Sequence, residues 1–337
     1  MKFCGIDLHS NNSVVVITDE ADHVLLSRRC PNDLAMITTL LEPHRTELAG
    51  VVVESTYNWY WLVDGLMAEG FVVKLANTVA MKRYDGLKHS DDEHDAGFLA
   101  HLLRLGILPT GYIHPPEERA LRDLARKRIQ LVRSRTQHVL AVENIMARQL
   151  GSRLSSAGVK RLSATSVDRL GLPTDVALAI KANVAIIEAL NSQIGCLEAR
   201  LLQSARLRAE FALLKSMPGI GEVLAIVIML EIGDVERFAQ VGNFASYARC
   251  VDSARYSNGK KKGEGNTKNG NAYLAWAFIE AANFARRFSA EAKRFFDKKK
   301  SKTNNVVATK ALAHKLARAS YHMLKEKQPF DAKRCFA

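Results

Sequence analysis

Four acidic side chains, Asp7, Glu54, Asp92 and Asp95, are spaced so that their carboxylates could converge. Asp7 closes the strand-like run Lys2-Phe3-Cys4-Gly5-Ile6, and Glu54 closes a second apolar run, residues 49–53. Asp92 and Asp95 share a helix face at i, i+3, as do Asp91 and Asp95 at i, i+4, so Asp91 rivals Asp92. Carboxylates drawn together repel one another unless divalent cations neutralise them. A pair of such cations is a general device for cutting phosphodiesters. Asp7 could simply end a strand, and acids at 91–93 could simply favour a helix N-terminus. Glu54 is harder to explain in that way, because a glutamate ending an apolar strand has no routine structural duty. His9, His89 and His94 lie near these acids and could serve as acids or supporting groups, but they are read as ordinary polar surface residues.

The elements that must position the acids follow from the pattern. Residues 2–9, 12–18 and 23–29 read as three strands, with β-branched Val14, Val15, Val16 and Ile17 in the second. A helix over 33–48, a buried strand at 49–54, a helix near 57–69 and a strand at 71–75 come next. Ser90 can cap a helix from Asp91 to about Leu105. The order β-β-β-α-β-α-β-α is the plan of an α/β ribonuclease-H-like domain. The aromatic group Tyr57, Trp59, Tyr60 and Trp61 reads as packing on the sheet rather than as base stacking.

Charge divides the 337-residue chain. Residues 1–115 carry 9 basic and 15 acidic side chains, a balance of −6, whereas the remainder carries 39 and 20, a balance of +19. An acidic front suits cations and a basic back suits a polyanion. The five cysteines show no CxxC or Cys/His spacing, which argues against a disulfide framework or zinc site and fits a reducing cytoplasm. The longest apolar run, Val223 to Leu230, is too short for a bilayer, so no membrane partner is expected.

A Pro/Gly boundary at 111–116 precedes a long helical stretch, 117–150, whose Arg126, Lys127 and Arg128 are candidate phosphate contacts. A second helix, about 174–204, carries the seam Ile180, Asn183, Ile187, Leu190, Ile194, Leu197, Leu201, spaced alternately by three and four as in a coiled coil. It could close a hairpin within the chain or join subunits. Gly219 and Gly221 form a Gly-x-Gly turn resembling the helix-hairpin-helix element of non-specific DNA binders. A mobile basic loop from about Cys250 to Asn271 offers Ser253, Ser257, Lys260, Lys261, Lys262 and Lys268 to a phosphate. Lys298, Lys299 and Lys300 project from a helix whose apolar side is Phe288, Phe295 and Phe296.

Taken together, Gly5-Ile6-Asp7-Leu8-His9, Val53-Glu54-Ser55-Thr56, the segment Lys88 to Ala96 and Pro218-Gly219-Ile220-Gly221 resemble the DEDD insertion-sequence transposases. These are the bridge-RNA-guided recombinases, which include Piv-type DNA invertases. The resemblance runs along nearly the whole chain. It implies a RuvC-like metal-binding domain over 1–112, a helical coiled-coil region over 113–208 and a mostly α transposase domain over 209–337. It implies Mg²⁺, two ions per site, on Asp7, Glu54, Asp92 and Asp95. It also implies a serine nucleophile that links covalently to DNA, which maps to Ser257; Asn258 stands where some members have glycine directly, leaving Ser253 as the lesser candidate. Target and donor DNA, a guide RNA and a homodimer or homotetramer are the implied partners, and a nucleoid-associated cytoplasmic location the implied setting. Asp7 and Ser257 lie 250 positions apart, so the resemblance leaves room for them to meet between subunits. A water-activating junction nuclease and a non-catalytic nucleic-acid scaffold are the competing expectations.

Overall fold

The computed structural model describes residues 1–81, 91–152, 154–251, 254–264 and 269–336. The chain divides into two compact units, Met1–Pro116 and Glu117–Ala337.

In the first unit, β1 (Lys2–Leu8), β2 (Asn12–Thr18) and β3 (Val24–Pro31) form an antiparallel meander, and β4 (Leu48–Glu54) and β5 (Val73–Ala76) add in parallel. A two-residue strand, β6 (Thr110–Gly111), pairs antiparallel with β5, so the sheet is six-stranded and mixed, in the order β3-β2-β1-β4-β5-β6. Strand side chains alternate between faces. Cys4, Ile6, Leu8, Val51 and Val53 point to one face and bury against α1 (Leu34–Leu41) and α2 (Tyr60–Ala68). Asp33 caps α1 by accepting from the Met36 N–H at 3.0 Å. The expected single helix over 33–48 does not form: α1 stops at Leu41 and Glu42–Glu47 is a 3₁₀ turn, because Pro43 has no N–H to continue the α ladder.

The other face takes α3 (Asp92–Arg104), and Gly5 decides how closely. A Cβ at Gly5 would lie 2.0 Å from the Ala96 carbonyl oxygen and 2.9 Å from the Ala100 nitrogen. Ala96, Val14 and Val16 fill one side of this contact, and Leu99, Val52 and Ala76 the other. The far end of α3 is anchored by Asp22, which accepts from Arg104 Nε at 2.7 Å and Nη2 at 2.6 Å and stands 2.9 Å from His101 Nδ1.

The second unit is almost entirely helical. Its elements are α4 (Pro116–Leu150), α5 (Ser156–Val159), α6 (Ala164–Asp168), α7 (Thr174–Ala205), α8 (Ala209–Lys215), α9 (Glu222–Ile232) and α10 (Val241–Tyr247). The hairpin β7 (Ala254–Ser257) and β8 (Lys260–Glu264) follows, then α11 (Ala272–Phe288), α12 (Ala290–Lys302), α13 (Asn305–Glu326) and α14 (Ala332–Phe336). The seam of α7 is used within the chain. Ile180 and Ile187 bury with Val139, Val142 and Met146 of α4, and the two helices run antiparallel through Arg128–Glu198, Arg135–Asn191 and His138–Asn183. Every residue of α9 from Leu224 to Ile232 is buried, the signature of a helix apolar all round that other helices enclose. Against it pack α8 and α11, whose Leu214, Leu274 and Phe278 belong to the same core.

Candidate active site

β1 and β4 lie side by side and parallel, with Ile6 opposite Val53. One position further on, Asp7 and Glu54 leave the same edge of the sheet, on the face that carries α3, because Gly5 and Val52 two residues earlier both meet that helix. Asp92 and Asp95 sit in the first turn of α3, where acidic side chains complement the helix dipole. The seating of α3 on Gly5 therefore brings its acidic end over the carboxyl end of β1.

Asp7 is buried, at 4% exposure, and Asp92 and His9 are half-buried beside it. His9 Nε2 stands 3.3 Å from Asp7 Oδ2 and 3.2 Å from Asp92 Oδ2, and the ligand atoms of the three residues lie within 4.8 Å of one another. Glu54 and Asp95 are half-buried at the same edge but are not members of this trio. Arg29 of β3 donates from Nη2 to Asp92 Oδ2 at 2.5 Å and from Nη1 to Asn12 Oδ1 at 2.8 Å. The hydrogen bond from Arg29 holds the Asp92 carboxyl below the usual carboxylate range, with the charges of His9 and Arg29 acting in the same direction. Asp91 has a different occupation: as the N-cap of α3 it accepts from the His94 N–H at 2.8 Å.

His9 was expected to be a plain surface residue, and its surroundings correct that reading. Its main chain is clamped: the N–H donates to Asn12 at 2.9 Å, and the carbonyl accepts from Asn32 Nδ2 at 3.0 Å and Asn58 Nδ2 at 2.9 Å. Its Nε2 is enclosed between the two carboxylates, at ion-pair distance from each. Two carboxylates and an imidazole nitrogen converging on a partly buried point are a donor set that fits a divalent cation. His89 lies outside the described residues.

In the second unit, the segment expected to be a mobile loop contains a β-hairpin. Asn258 and Gly259, with φ of 50° and 71°, make the two-residue turn, which is the geometry that Asn-Gly prefers between twisted strands. Ser257 closes β7 at the turn, paired with Lys260, and its side chain is exposed, as are Lys260, Lys261 and Lys262. Ser253 and Lys268 lie outside the described residues.

Two cations expected at a phosphate are engaged inside the chain instead. Arg126 forms a bidentate pair with Glu231 of α9, at 2.6 and 2.7 Å, and that carboxylate is 1% exposed. Asn271 Nδ2 donates to the same carboxylate at 2.7 Å. Arg128 pairs with Glu198 at 2.6 Å, with little of its side chain exposed. Lys127 is exposed and beside Arg133 and Tyr273 lines a shallow cleft of about 340 Å³. Gly219, at φ 90°, faces inward: a Cβ there would lie 2.3 Å from the Ala281 carbonyl of α11, so its first task is helix packing. Gly221 is the N-cap of α9 and has open space around it. Lys298, Lys299 and Lys300 are exposed on α12, and the first two join Arg294, Lys302, Lys315 and Lys333 around a cleft of about 840 Å³.

Two family models match the chain, and both describe transposases. A DEDD transposase of the IS110 type matches residues 4–149, and the transposase IS116/IS110/IS902 family matches residues 211–297. Together they cover more than two thirds of the chain, which belongs to the IS110-type DEDD transposase family. It is thus an insertion-sequence transposase, a member of the class of enzymes that cut and rejoin DNA. No curated protein matches it. No described helix is long and apolar enough to cross a membrane.

Proposed function

We propose that the chain cuts and rejoins DNA through a covalent phosphoserine intermediate at Ser257, with Asp7, Glu54, Asp92 and Asp95 holding Mg²⁺, two ions per site. The observation that carries the reading is the meeting of Asp7 and Asp92 at the end of β1, in a chain matched by transposase models front and back. A central β1 flanked by antiparallel β2 and parallel β4 supports a RuvC-like, ribonuclease-H-type assignment for residues 1–112. Residues 113–208 then form the helical region and 209–337 the transposase domain.

In this reading Ser257 Oγ attacks the scissile phosphorus. One P–O bond forms to serine, one breaks to the departing strand end, and the serine proton leaves to solvent or to that end. The count of phosphodiester bonds is unchanged, so attack by a free hydroxyl end reverses the step without ATP. Bound Mg²⁺ would polarise the phosphate oxygens and stabilise the departing oxygen. Asp7 and Asp92 supply the negative charge that retains the cation, and the cap at Asp91 fixes the start of α3. The hairpin turn presents Ser257, and Lys260, Lys261 and Lys262 attract the backbone phosphates. Lys127 and Lys298 to Lys300 extend the polyanion contact. Pairing of a bridge RNA with target and donor DNA, and assembly as a homodimer or homotetramer, complete the proposal and suit a nucleoid-associated protein.

The test is a protein–DNA adduct that survives denaturation, present in the parent and absent in Ser257→Ala. One observation favours a second reading, a RuvC-like nuclease using activated water: the trio of Asp7, His9 and Asp92 is complete within the first unit. Full cleavage by Ser257→Ala without adduct would establish that reading instead.

A further inference from the structure

We propose that His9 Nε2 is a direct ligand of the cation held by Asp7 and Asp92, and that it biases this position towards Mn²⁺ over Mg²⁺. The inference rests on the reading of the acids as a cation site and adds a nitrogen ligand to it.

Three observations carry it. The distances from Nε2 to the two carboxylate oxygens, 3.3 and 3.2 Å, are those of neighbouring ligands on one ion. Bonds of about 2.1 Å place adjacent donors about 3.0 Å apart in an octahedron and about 3.4 Å apart in a tetrahedron. Next, Nε2 is enclosed and faces both carboxylates at ion-pair distance, so an ion held between Asp7 and Asp92 lies within reach of the nitrogen. Finally, three main-chain hydrogen bonds, one from the His9 N–H to the Asn12 carbonyl and two from Asn32 and Asn58 to the His9 carbonyl, fix the residue that bears the ring, a degree of restraint that an ordinary surface histidine does not receive.

The chemical consequence is selectivity. Mg²⁺ is a hard ion that favours carboxylate and water oxygens, whereas imidazole nitrogen suits transition metals. A site of two carboxylates and one imidazole therefore discriminates for Mn²⁺, and a site of carboxylates alone does so far less.

The experiment uses the full-length protein carrying ¹⁵N-histidine and loaded with Mn²⁺. Electron spin echo spectroscopy reads ¹⁵N coupling to the ion, and calorimetry reads Mn²⁺ and Mg²⁺ affinities separately. The expected result is a ¹⁵N coupling that persists in His94→Ala and His89→Ala and disappears in His9→Ala and His9→Gln. The His9 variants are expected to lose about tenfold in Mn²⁺ affinity with a much smaller change for Mg²⁺. Absence of coupling in the parent at saturating Mn²⁺, or an unchanged Mn²⁺ to Mg²⁺ ratio in His9→Gln, would overturn the proposal, and the first outcome requires no variant to fold. Asp7→Asn separates the two levels. If it also keeps full Mn²⁺ affinity, the acidic cation site itself is wrong; if it loses affinity while the His9 variants do not, only the histidine ligand is wrong.

Discussion

Arg29 and Asp92 meet through a 2.5 Å contact from Nη2 to Oδ2, and that carboxylate oxygen is the one that faces His9. Arg29 thus occupies with positive charge a position that a cation would also claim. Replacing Arg29 with alanine removes the competitor, and divalent-cation affinity is expected to rise about three- to tenfold at low salt and less at high salt. Asp92→Asn is expected to lower it strongly, and Asp91→Ala only to weaken the helix cap. Calorimetric titration at two ionic strengths checks all three.

Gly5→Ala is expected to destabilise the first unit by about 3 kcal/mol, because the new Cβ meets backbone atoms of α3 that no rotamer change can move. Loss of cation affinity should accompany it, since Asp92 rides on the displaced helix. Urea unfolding followed by metal titration is the measurement.

At the hairpin, Gly259→Val places a β-branched residue at φ 71° and should reduce adduct formation at least several-fold without altering cation affinity. Asn258→Gly keeps the turn and should retain most of the activity. Denaturing gels that score the adduct distinguish these outcomes.

Arg126→Ala leaves the Glu231 carboxylate buried with only Asn271 to answer it. With Arg126 partly exposed, the expected loss of stability is about 2–3 kcal/mol, at the low end for a broken buried pair. DNA affinity should keep its salt slope. Lys299→Ala should do the reverse, with stability unchanged and the slope of log affinity against log salt shallower by about one. Thermal melts and DNA binding across a salt series test the contrast.

Asp22 gives a pH dependence. Its partial burial pulls the carboxyl upwards, but hydrogen bonds and charge from Arg104 and His101 override this, so its folded value lies below the ordinary carboxylate range. A depressed acid binds its proton less readily folded than unfolded. Its contribution is therefore complete above about pH 5 and is lost as the pH falls below about 4 through the folded value. Asp22→Asn is expected to flatten the stability curve in that acid window and leave its shape near neutrality unchanged, as unfolding midpoints across pH would show.

The sheet of the first unit was legible because each strand carries its own pattern. A β-branched run marks β2, apolar runs mark β1 and β4, and Asp7 and Glu54 are conspicuous as acids ending the last two. The two-residue β6 carries no pattern at all, and Pro43 outweighed an otherwise helical stretch. His9 is inconspicuous in the sequence because one histidine after a strand looks like any other; what distinguishes it is a clamp made by Asn32 and Asn58, remote in sequence.

In the second unit, Asn258-Gly259 is the strongest short hairpin signal there is, but it sat among glycines and lysines that suggested a loop. Glu231 was a clue of the same kind: an acid at the end of a fully apolar helix must have a partner, and the basic run of α4 held it in Arg126. The cations read as phosphate contacts could not be sorted from sequence, since an arginine that braces a core and one that meets DNA are the same letter.

At Gly5 no side chain separates β1 from α3, so the spacing of the two acids that flank His9 rests there on main-chain contact. Redesign of this centre has correspondingly little freedom in the scaffold, and a change of metal taste has to come from swapping the donor atoms themselves.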